Sequence, residues 1–293
     1  MLPQRACFLW SYLQIEPFFV HDVSASDSTR LRAIVNVVRA FPPVSRYRRY
    51  RFVARFETDP TAHLFLGTYG SFAEAVAAAP SSKPVGYDND GAAAMYDARL
   101  DRVHAADYPV LYWLHRIGPV RQIVDFGGHV GVAYHAFRPY LEHQWQDFTW
   151  TVIDVPAVVA RGEQLALQRG AAHLRFAVSA ALEHADVWLA AGSLQYVDEL
   201  PSAMIAEMRR LPRYVLLNKV PLTDGEPYVT LNSIGTAFCP YAVRNRDAFE
   251  QDLTDAGYVI RDRWCNEKLS CTPFDLPSRA VHGYSGMLLE RTE

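Results

Sequence analysis

The stretch Val124-Asp125-Phe126-Gly127-Gly128-His129-Val130-Gly131 decides the fold, because an apolar run there ends in glycines just before a helical pattern. Asp154 follows 23 residues after Gly131, at the end of a second apolar run, 148–153. Both runs are typical of buried strands. Glycines let a ligand approach the backbone closely, and a carboxylate at a strand end can hold two ribose hydroxyls. The pattern therefore predicts a nucleotide-binding α/β domain.

Two registers of the glycine loop point to different ligands. The dinucleotide pattern Gly-x-Gly-x-x-Gly would need a glycine at Phe126, which cannot make that turn. The pattern Asp-x-Gly-x-Gly-x-Gly resembles the loop of S-adenosylmethionine (SAM) methyltransferases. It matches Asp125, Gly127 and Gly131, with His129 in place of the middle glycine. An acid at the strand end suits a cationic amino-acid ligand and would repel a pyrophosphate. A tight strand-to-helix turn without any ligand remains the structural alternative.

Composition limits the function classes. A chain of 293 residues, half of them hydrophobic, can form one large domain or two small ones. The net charge of −3 gives no overall attraction to nucleic acid. The four cysteines are irregularly spaced, which predicts reduced thiols and no metal site. No apolar run is long enough for a membrane span, and no signal-peptide pattern is present. We therefore expect a cytoplasmic protein that is not bound to a membrane.

Strand-like and helix-like runs alternate regularly from residue 120 onward. Such alternation favours a parallel sheet with helices on both faces. A helix at 246–256 then precedes two final strands, at 258–263 and 284–290, which have no helix between them and should pair antiparallel. The expected fold is an α/β, Rossmann-like class I methyltransferase sheet with an antiparallel terminal strand. The alternating runs are the strands 122–126, 149–153, 174–177, 187–191 and 214–218, and the helices 132–141, 157–169 and 201–210, with a short piece near 180–183.

The sequence predicts that residues 1–118 form a mostly helical cap region and that residues 119–293 form the SAM-binding domain. Helices are expected at 31–38, at 72–79 with Ser71 as N-cap and Glu74 completing a capping box, and at 95–104 and 109–117. Arginines alternate with aromatics over 46–55, as in some nucleic-acid sites, but a charged helix or edge strand explains them equally. We expect no nucleic-acid partner. The aromatic-rich N-terminus should pack on the rest of the protein or support a homodimer.

Several motifs in order resemble a family of bacterial SAM-dependent methyltransferases with mostly undefined substrates. Genes of that family often lie near surface-polysaccharide or secondary-metabolite genes. The resemblance covers roughly residues 64–290 and leaves 1–60 unmatched. It rests on Gly67-x-Tyr69-x-Ser71-x-x-Glu74-Ala75, Gly86-Tyr87-Asp88, Tyr108-Pro109, Asp125-Phe126-Gly127-Gly128-x-x-Gly131-x-x-Tyr134, Asp154-Val155-Pro156 and Ser193-Leu194-Gln195-Tyr196.

The resemblance implies where the cofactor would bind. The loop glycines would pass under its methionine part, with Asp125 near the ammonium group. Asp154 would accept the ribose hydroxyls, although it could equally cap the helix that starts at Pro156. The segment 86–88 would form a lid over the cofactor, or a plain β-turn. The implied cofactor-binding residues are Tyr87, Asp125, Gly127, Gly128, Gly131, Asp154, Val155, Ser193 and Leu194.

The catalytic candidates lie beside the glycine loop and after the fourth strand. Gln195 and Tyr196 follow that strand, whose end borders the ligand crevice in doubly wound folds. A base is needed only for a hydroxyl or a protonated amine acceptor, and His129 is the first candidate, ahead of His135 and His282. The long segments 220–244 and 264–283 are expected to be loops that carry specificity. The predicted catalytic set is His129, Tyr134, Gln195 and Tyr196.

The sequence therefore predicts SAM-dependent methyl transfer to a small polar molecule, either a secondary-metabolite intermediate or a sugar-like unit. One alternative is a protein that keeps the fold, binds SAM weakly or not at all, and serves as an interaction module. The other is an NAD-dependent oxidoreductase, which Phe126 and the expected terminal strand pair disfavour. The acceptor atom stays open.

Overall fold

The computed structural model of the protein describes residues 42–118, 120–141, 147–179 and 184–292. The helix predicted at 31–38 and the short piece near 180–183 lie outside this range. The chain separates into two compact units, residues 1–54 and 55–293. The first unit is described here only by the start of one helix, so the fold below is that of the second unit.

The described helices and strands are numbered here in chain order, and four short 3-10 turns are left without labels. The helices are α1 (Pro42–Thr58), α2 (Phe72–Ala77), α3 (Asp90–Ala94), α4 (Tyr108–Arg116), α5 (Val132–Leu141), α6 (Pro156–Gln168), α7 (Pro201–Ala206) and α8 (Arg246–Asp255). The strands are β1 (Leu64–Tyr69), β2 (Gln122–Phe126), β3 (Thr149–Ile153), β4 (Leu174–Ala177), β5 (Val187–Ala191), β6 (Tyr214–Val220), β7 (Leu222–Thr223), β8 (Tyr228–Ser233), β9 (Phe238–Asn245), β10 (Tyr258–Cys271) and β11 (Val281–Arg291).

The main sheet has seven strands in the order β10-β11-β6-β5-β2-β3-β4. Strands β2 to β6 run parallel to one another. Strand β11 is antiparallel to both β6 and β10. Only a short 3-10 turn, Pro277–Arg279, separates the last two strands, too little chain for a crossover helix. The predicted α/β, Rossmann-like sheet with its antiparallel terminal strand is confirmed.

The core lies on both faces of this sheet. In β5, Val187 and Leu189 face the layer that contains α5, whereas Trp188 and Ala190 face the layer of α7 and α8. All four side chains are 1% exposed or less. A strand buried on both faces reads as a continuous apolar run, which is why β5 was recognisable in the sequence.

A second sheet was not predicted. It has the order β1-β8-β9-β7 and is built mostly from the stretch 220–244, which the sequence analysis treated as a loop. Strand β8 is buried along its whole length, yet it is not a continuous apolar run, because Thr230, Asn232 and Ser233 are polar. The Thr230 hydroxyl, for example, donates to the carbonyl of Gly67 at 2.7 Å. Since β1 pairs with β8, residues from both sides of the boundary expected at 118/119 share one sheet.

The N-terminal elements follow the sequence in part. Ser71 caps α2 as predicted, with its hydroxyl oxygen accepting from the Glu74 backbone N–H at 3.2 Å. The basic run 46–55 lies in α1, which begins at Pro42 because proline suits the first helical turn. The helix predicted at 95–104 is wrong. The chain there makes only 3-10 turns after α3 ends at Ala94.

Candidate functional site

A cavity of about 900 Å³ opens at the carboxyl ends of the parallel strands β2, β3, β5 and β6. Parallel strands bring their carboxyl ends to one sheet edge, so segments distant in sequence meet there. Ten residues of the predicted site line this cavity: Tyr87, Asp125, Gly127, Gly128, His129, Asp154, Val155, Ser193, Gln195 and Tyr196.

The glycine loop after β2 uses the left-handed backbone region repeatedly. Gly127 has φ 66° and Gly131 has φ 82°, and His129 adopts φ 56° between them. A side chain other than glycine is uncommon at such an angle. His129 therefore stands in a glycine position structurally as well as in the motif.

Two of these glycines are required by contacts within the protein. A Cβ atom at Gly127 would lie 2.2 Å from the Cβ of Ser193. A Cβ at Gly128 would lie 2.4 Å from the carboxyl group of Asp125. The loop thus packs directly against the end of β2 and the segment after β5. Space for a ligand is not the sole reason for glycine at these positions.

Asp125 lies at the end of β2 and is 1% exposed. The indole N–H of Trp150 donates to its Oδ2 at 3.0 Å. Burial raises the pKa of Asp125 to about 7, which the Trp150 hydrogen bond partly opposes and the nearby Asp154 reinforces. A cation in the cavity would favour the ionised form of this carboxyl and lower its pKa.

Asp154 follows β3 and holds the glycine loop in place. Its Oδ2 accepts the backbone N–H of His129 at 2.9 Å, and its Oδ1 accepts that of Val155 at 2.8 Å. Burial raises the pKa of Asp154 to about 6, against these two hydrogen bonds. Asp154 is not the N-cap of α6, since Val155 holds that position and Asp88 accepts the N–H of Ala157 at 2.9 Å.

The His129 ring is buried and neutral. Its Nε2 lies 2.9 Å from the carbonyl oxygen of Ala92, which can only accept, so Nε2 carries the hydrogen. The other ring nitrogen, Nδ1, has no hydrogen-bond partner among the described residues. Burial lowers the pKa of His129 to about 4. A ring with so low a pKa is a poor proton acceptor at neutral pH.

The segment after β5 supplies the floor of the cavity. The Ser193 hydroxyl donates to the carbonyl of Phe126 at 2.6 Å, which joins this segment to the end of β2. Gln195 is 5% exposed, and its side-chain N–H donates to the carbonyl of Gly192 at 2.8 Å. Its Oε1 has no partner among the described residues. This buried acceptor lies at the cavity wall.

A group of tyrosines, Tyr87, Tyr196 and Tyr241, also lines the cavity and is called the tyrosine wall here. The rings of Tyr87 and Tyr196 meet edge to face at 5.0 Å between centroids, and Tyr196 meets Tyr241 in the same way at 5.2 Å. The Tyr196 hydroxyl donates to Oδ1 of Asn232 at 3.1 Å. Burial raises the pKa of Tyr196 well above its usual value, so its hydroxyl stays protonated. This wall is aromatic and uncharged.

The segment 86–88 is fixed at both ends. The Gly86 N–H donates to the carbonyl of Phe238 in β9 at 2.8 Å. At the other end, the bond from Ala157 to Asp88 attaches it to α6. Tyr87 therefore reaches the cavity from a segment anchored to two elements, unlike a loose lid.

The sequence analysis missed a charged cluster that also lines the cavity. Lys219, at the end of β6, adopts φ 58° and forms an ion pair with Asp107 at 2.5 Å. Arg99, Arg102 and His104 come from the turns between α3 and α4. The left-handed angle of Lys219 costs on the order of 1 kcal/mol or more, and such strain often occurs at functional sites. A single sequence gives no signal for it.

Other candidates lie outside the cavity lining. Tyr134 is 2% exposed and packs on Trp150 and Phe148, so its side chain belongs to the core. Leu194 is a core residue, and a Cβ at Gly131 would meet Leu174. The alternative bases, His135 and His282, are likewise not among the lining residues.

No group of three or more His, Cys, Asp or Glu side chains in the described ranges is arranged to hold a metal ion. No described helix is both long and apolar enough to cross a membrane.

Comparison with known proteins gives structural matches only. No protein-family model matches the chain, and no curated protein matches it. One similar solved structure is the 1,6-didemethyltoxoflavin N1-methyltransferase of Burkholderia thailandensis, 19% identical over 64% of this chain and 79% of that chain, with TM-score 0.45. Another is the magnesium protoporphyrin IX methyltransferase of Synechocystis PCC 6803, which is 18% identical over 63% of this chain and 81% of that chain, with TM-score 0.44. Both have S-adenosylhomocysteine bound. A third is the [4+2]-cyclase SpnF, which is 13% identical over 62% of this chain and 80% of that chain, with TM-score 0.42.

Proposed function

We propose that the protein binds SAM in the cavity above the glycine loop and transfers its methyl group to a small molecule. One observation carries this proposal: the buried carboxylates Asp125 and Asp154 meet the loop glycines at the wall of a single cavity. Its volume lies near the upper end of the range for ligand pockets, about 300–1,000 Å³. That leaves room for a cofactor beside a small acceptor.

The residues present fit such a cofactor. Asp125 is placed to hold an ammonium group, because it lines the cavity and the side chain that donates to it is the uncharged indole of Trp150. Asp154 stands at the end of the neighbouring strand, where a carboxylate suits ribose hydroxyls. A pyrophosphate would meet two acids here, which disfavours NAD.

The chain's own residues would chiefly position and enclose the acceptor. A bound sulfonium supplies a methyl carbon that is already activated for in-line displacement. Gln195 lines the cavity and would help to shape the acceptor's place, while Tyr87 and Tyr196 would exclude water from it. We assign His129 a structural role in the loop, because its ring is a poor base. The expected acceptor is a small polar molecule.

Calorimetry with SAM, S-adenosylhomocysteine (SAH) and NAD tests the proposal. We expect micromolar binding of SAM and SAH and none of NAD. Binding of NAD alone would favour an oxidoreductase. Absence of all three would favour the interaction module, the alternative kept open by His129 in a glycine position. The cap role of residues 1–118, the cytoplasmic location and a homodimer stay predictions.

A further inference from the structure

The charges around the cavity do not balance locally. Its lining includes four carboxylates, Asp88, Asp107, Asp125 and Asp154. Asp88 accepts a backbone N–H of α6, and Asp107 forms the ion pair with Lys219. The other two belong to the proposed cofactor site. None of the four therefore pairs with the remaining cations of the lining.

Those remaining cations are Arg99 and Arg102. Both are exposed where they line the cavity, and neither forms an ion pair with a carboxylate among the described residues. The guanidinium of Arg99 lies 4.8 Å from the ring centroid of Tyr96. Stacking on an aromatic face orients an arginine while leaving its N–H donors available.

The positive potential of these arginines extends across the cavity. Burial lowers the pKa of His104, and the charges of Arg99, Arg102 and Lys219 lower it further against the single opposing Asp107. The pKa of His63 is lowered by burial and by Arg99. His63 in turn contacts Asn232, the hydroxyl partner of Tyr196, at 3.3 Å. Arg99 thus lies near enough to both His104 and His63 to disfavour their protonated forms.

We propose that Arg99 and Arg102 bind an anionic group, a carboxylate or a phosphate, on the methyl acceptor. This inference rests on the proposed function and narrows its substrate class. A planar guanidinium suits both anions because it can donate two parallel hydrogen bonds. The tyrosine wall beside Arg99 would contact an aromatic or apolar body on the same molecule. The acceptor is therefore an acid with a hydrophobic part, and the neutral sugar-like unit is disfavoured.

The carboxylate of the cofactor's own methionine part is the other anion that could reach these arginines. Loading the protein with SAH separates the two sources, because SAH brings that carboxylate and occupies its site. The probes are benzoate and its uncharged analogue benzamide, with inorganic phosphate as a second anion. Binding is followed by ligand-observed NMR on the SAH-loaded full chain. The variants are Arg99→Gln/Arg102→Gln and, as a matched control, Arg116→Gln, an exposed arginine in α4 outside the cavity lining.

We expect benzoate to bind at least about tenfold more tightly than benzamide in the wild type and in the control. The double variant should lose this preference and the phosphate binding while its SAH affinity stays within about twofold. Equal binding of benzoate and benzamide by the wild type would overturn the inference. So would a double variant that keeps the preference, or one that loses SAH affinity instead. If the wild type binds no SAH yet prefers benzoate, the cofactor assignment fails while the anion site stands.

Discussion

The backbone N–H of His129 donates to Oδ2 of Asp154 at 2.9 Å, so the acid at the end of β3 holds the glycine loop that follows β2. The loop can present this N–H because His129 adopts φ 56°. Asp154 therefore has a structural partner before any ligand binds. A substitution at Asp154 should affect both the loop and the proposed ribose contact.

We expect Asp154→Ala to weaken SAH binding by about 1–2 kcal/mol, roughly tenfold, because a charged acceptor of hydrogen bonds is lost. Isothermal titration calorimetry measures the affinity. Asp147→Ala, at an exposed acid just before β3, is the control and should bind normally. A folded Asp154→Ala protein with wild-type affinity would remove Asp154 from the cofactor site.

His129→Gly distinguishes a structural histidine from a catalytic one. Glycine accepts the left-handed angle without a steric penalty and keeps the N–H that Asp154 accepts. We expect SAH affinity and methyl-transfer rate to stay within about tenfold of wild type, since a general base would contribute about 10²–10⁴-fold. A larger loss of rate at unchanged SAH affinity would assign His129 as the base. His129→Val should lower the melting temperature, because a β-branched residue is strained at that angle.

Gly127→Ala should destabilise the protein, because the new Cβ would lie 2.2 Å from that of Ser193 and φ is 66°. Adding Ser193→Gly removes the clash, although it also removes the hydrogen bond to Phe126. The double variant should therefore recover part of the lost melting temperature. The SAH affinity of the double variant then shows whether a methyl group at position 127 also obstructs the cofactor. If the double variant melts no higher than Gly127→Ala alone, contact with Ser193 is not what excludes a side chain at this position.

The main sheet could be predicted from the sequence because its strands are continuous apolar runs separated by helical periods. Strand β5 is the clearest example. The second sheet could not, since β8 buries Thr230, Asn232 and Ser233, which satisfy their hydrogen bonds only after distant segments assemble. Pairing of β1 with β8 joins segments more than 150 residues apart, and no local pattern encodes that register.

The candidate site divides in the same way. The motif selects Asp125, Gly127 and Asp154, which line one cavity, and their role in binding a cofactor stays a prediction. The motif could not reveal Lys219 or Arg102. A charged residue at the end of a strand or within a turn is common on protein surfaces and marks no site. Tyr134 was predicted as a site residue from its place after the glycine loop. The same helical spacing suits a core residue, and in the structure Tyr134 packs on Trp150.

The stability of the protein should depend on pH through Asp125. Burial raises its pKa from 3.8 to about 7, so the folded state holds this proton more tightly than the unfolded state does. The stability that this group contributes is therefore present at low pH and is lost as the pH rises from about 4 through about 7. Asp125→Asn, which keeps an acceptor for Trp150, should raise the melting temperature, and more so at pH 8 than at pH 5.

SAH binding should change in the opposite direction. An ammonium group needs the ionised form of Asp125, so wild-type affinity should rise as the pH increases from 5.5 to 8. In Asp125→Asn the affinity should be lower at pH 8, and only a weaker dependence around pH 6 should remain, from Asp154, whose pKa is raised by burial to about 6. Calorimetry across this range, beside thermal melts of the unliganded proteins, checks both effects. If the Asp125→Asn variant is no more stable than the wild type at pH 8, the ionised carboxylate of Asp125 does not destabilise the folded protein. A variant that binds SAH as tightly as wild type at pH 8 would remove Asp125 from the cofactor site.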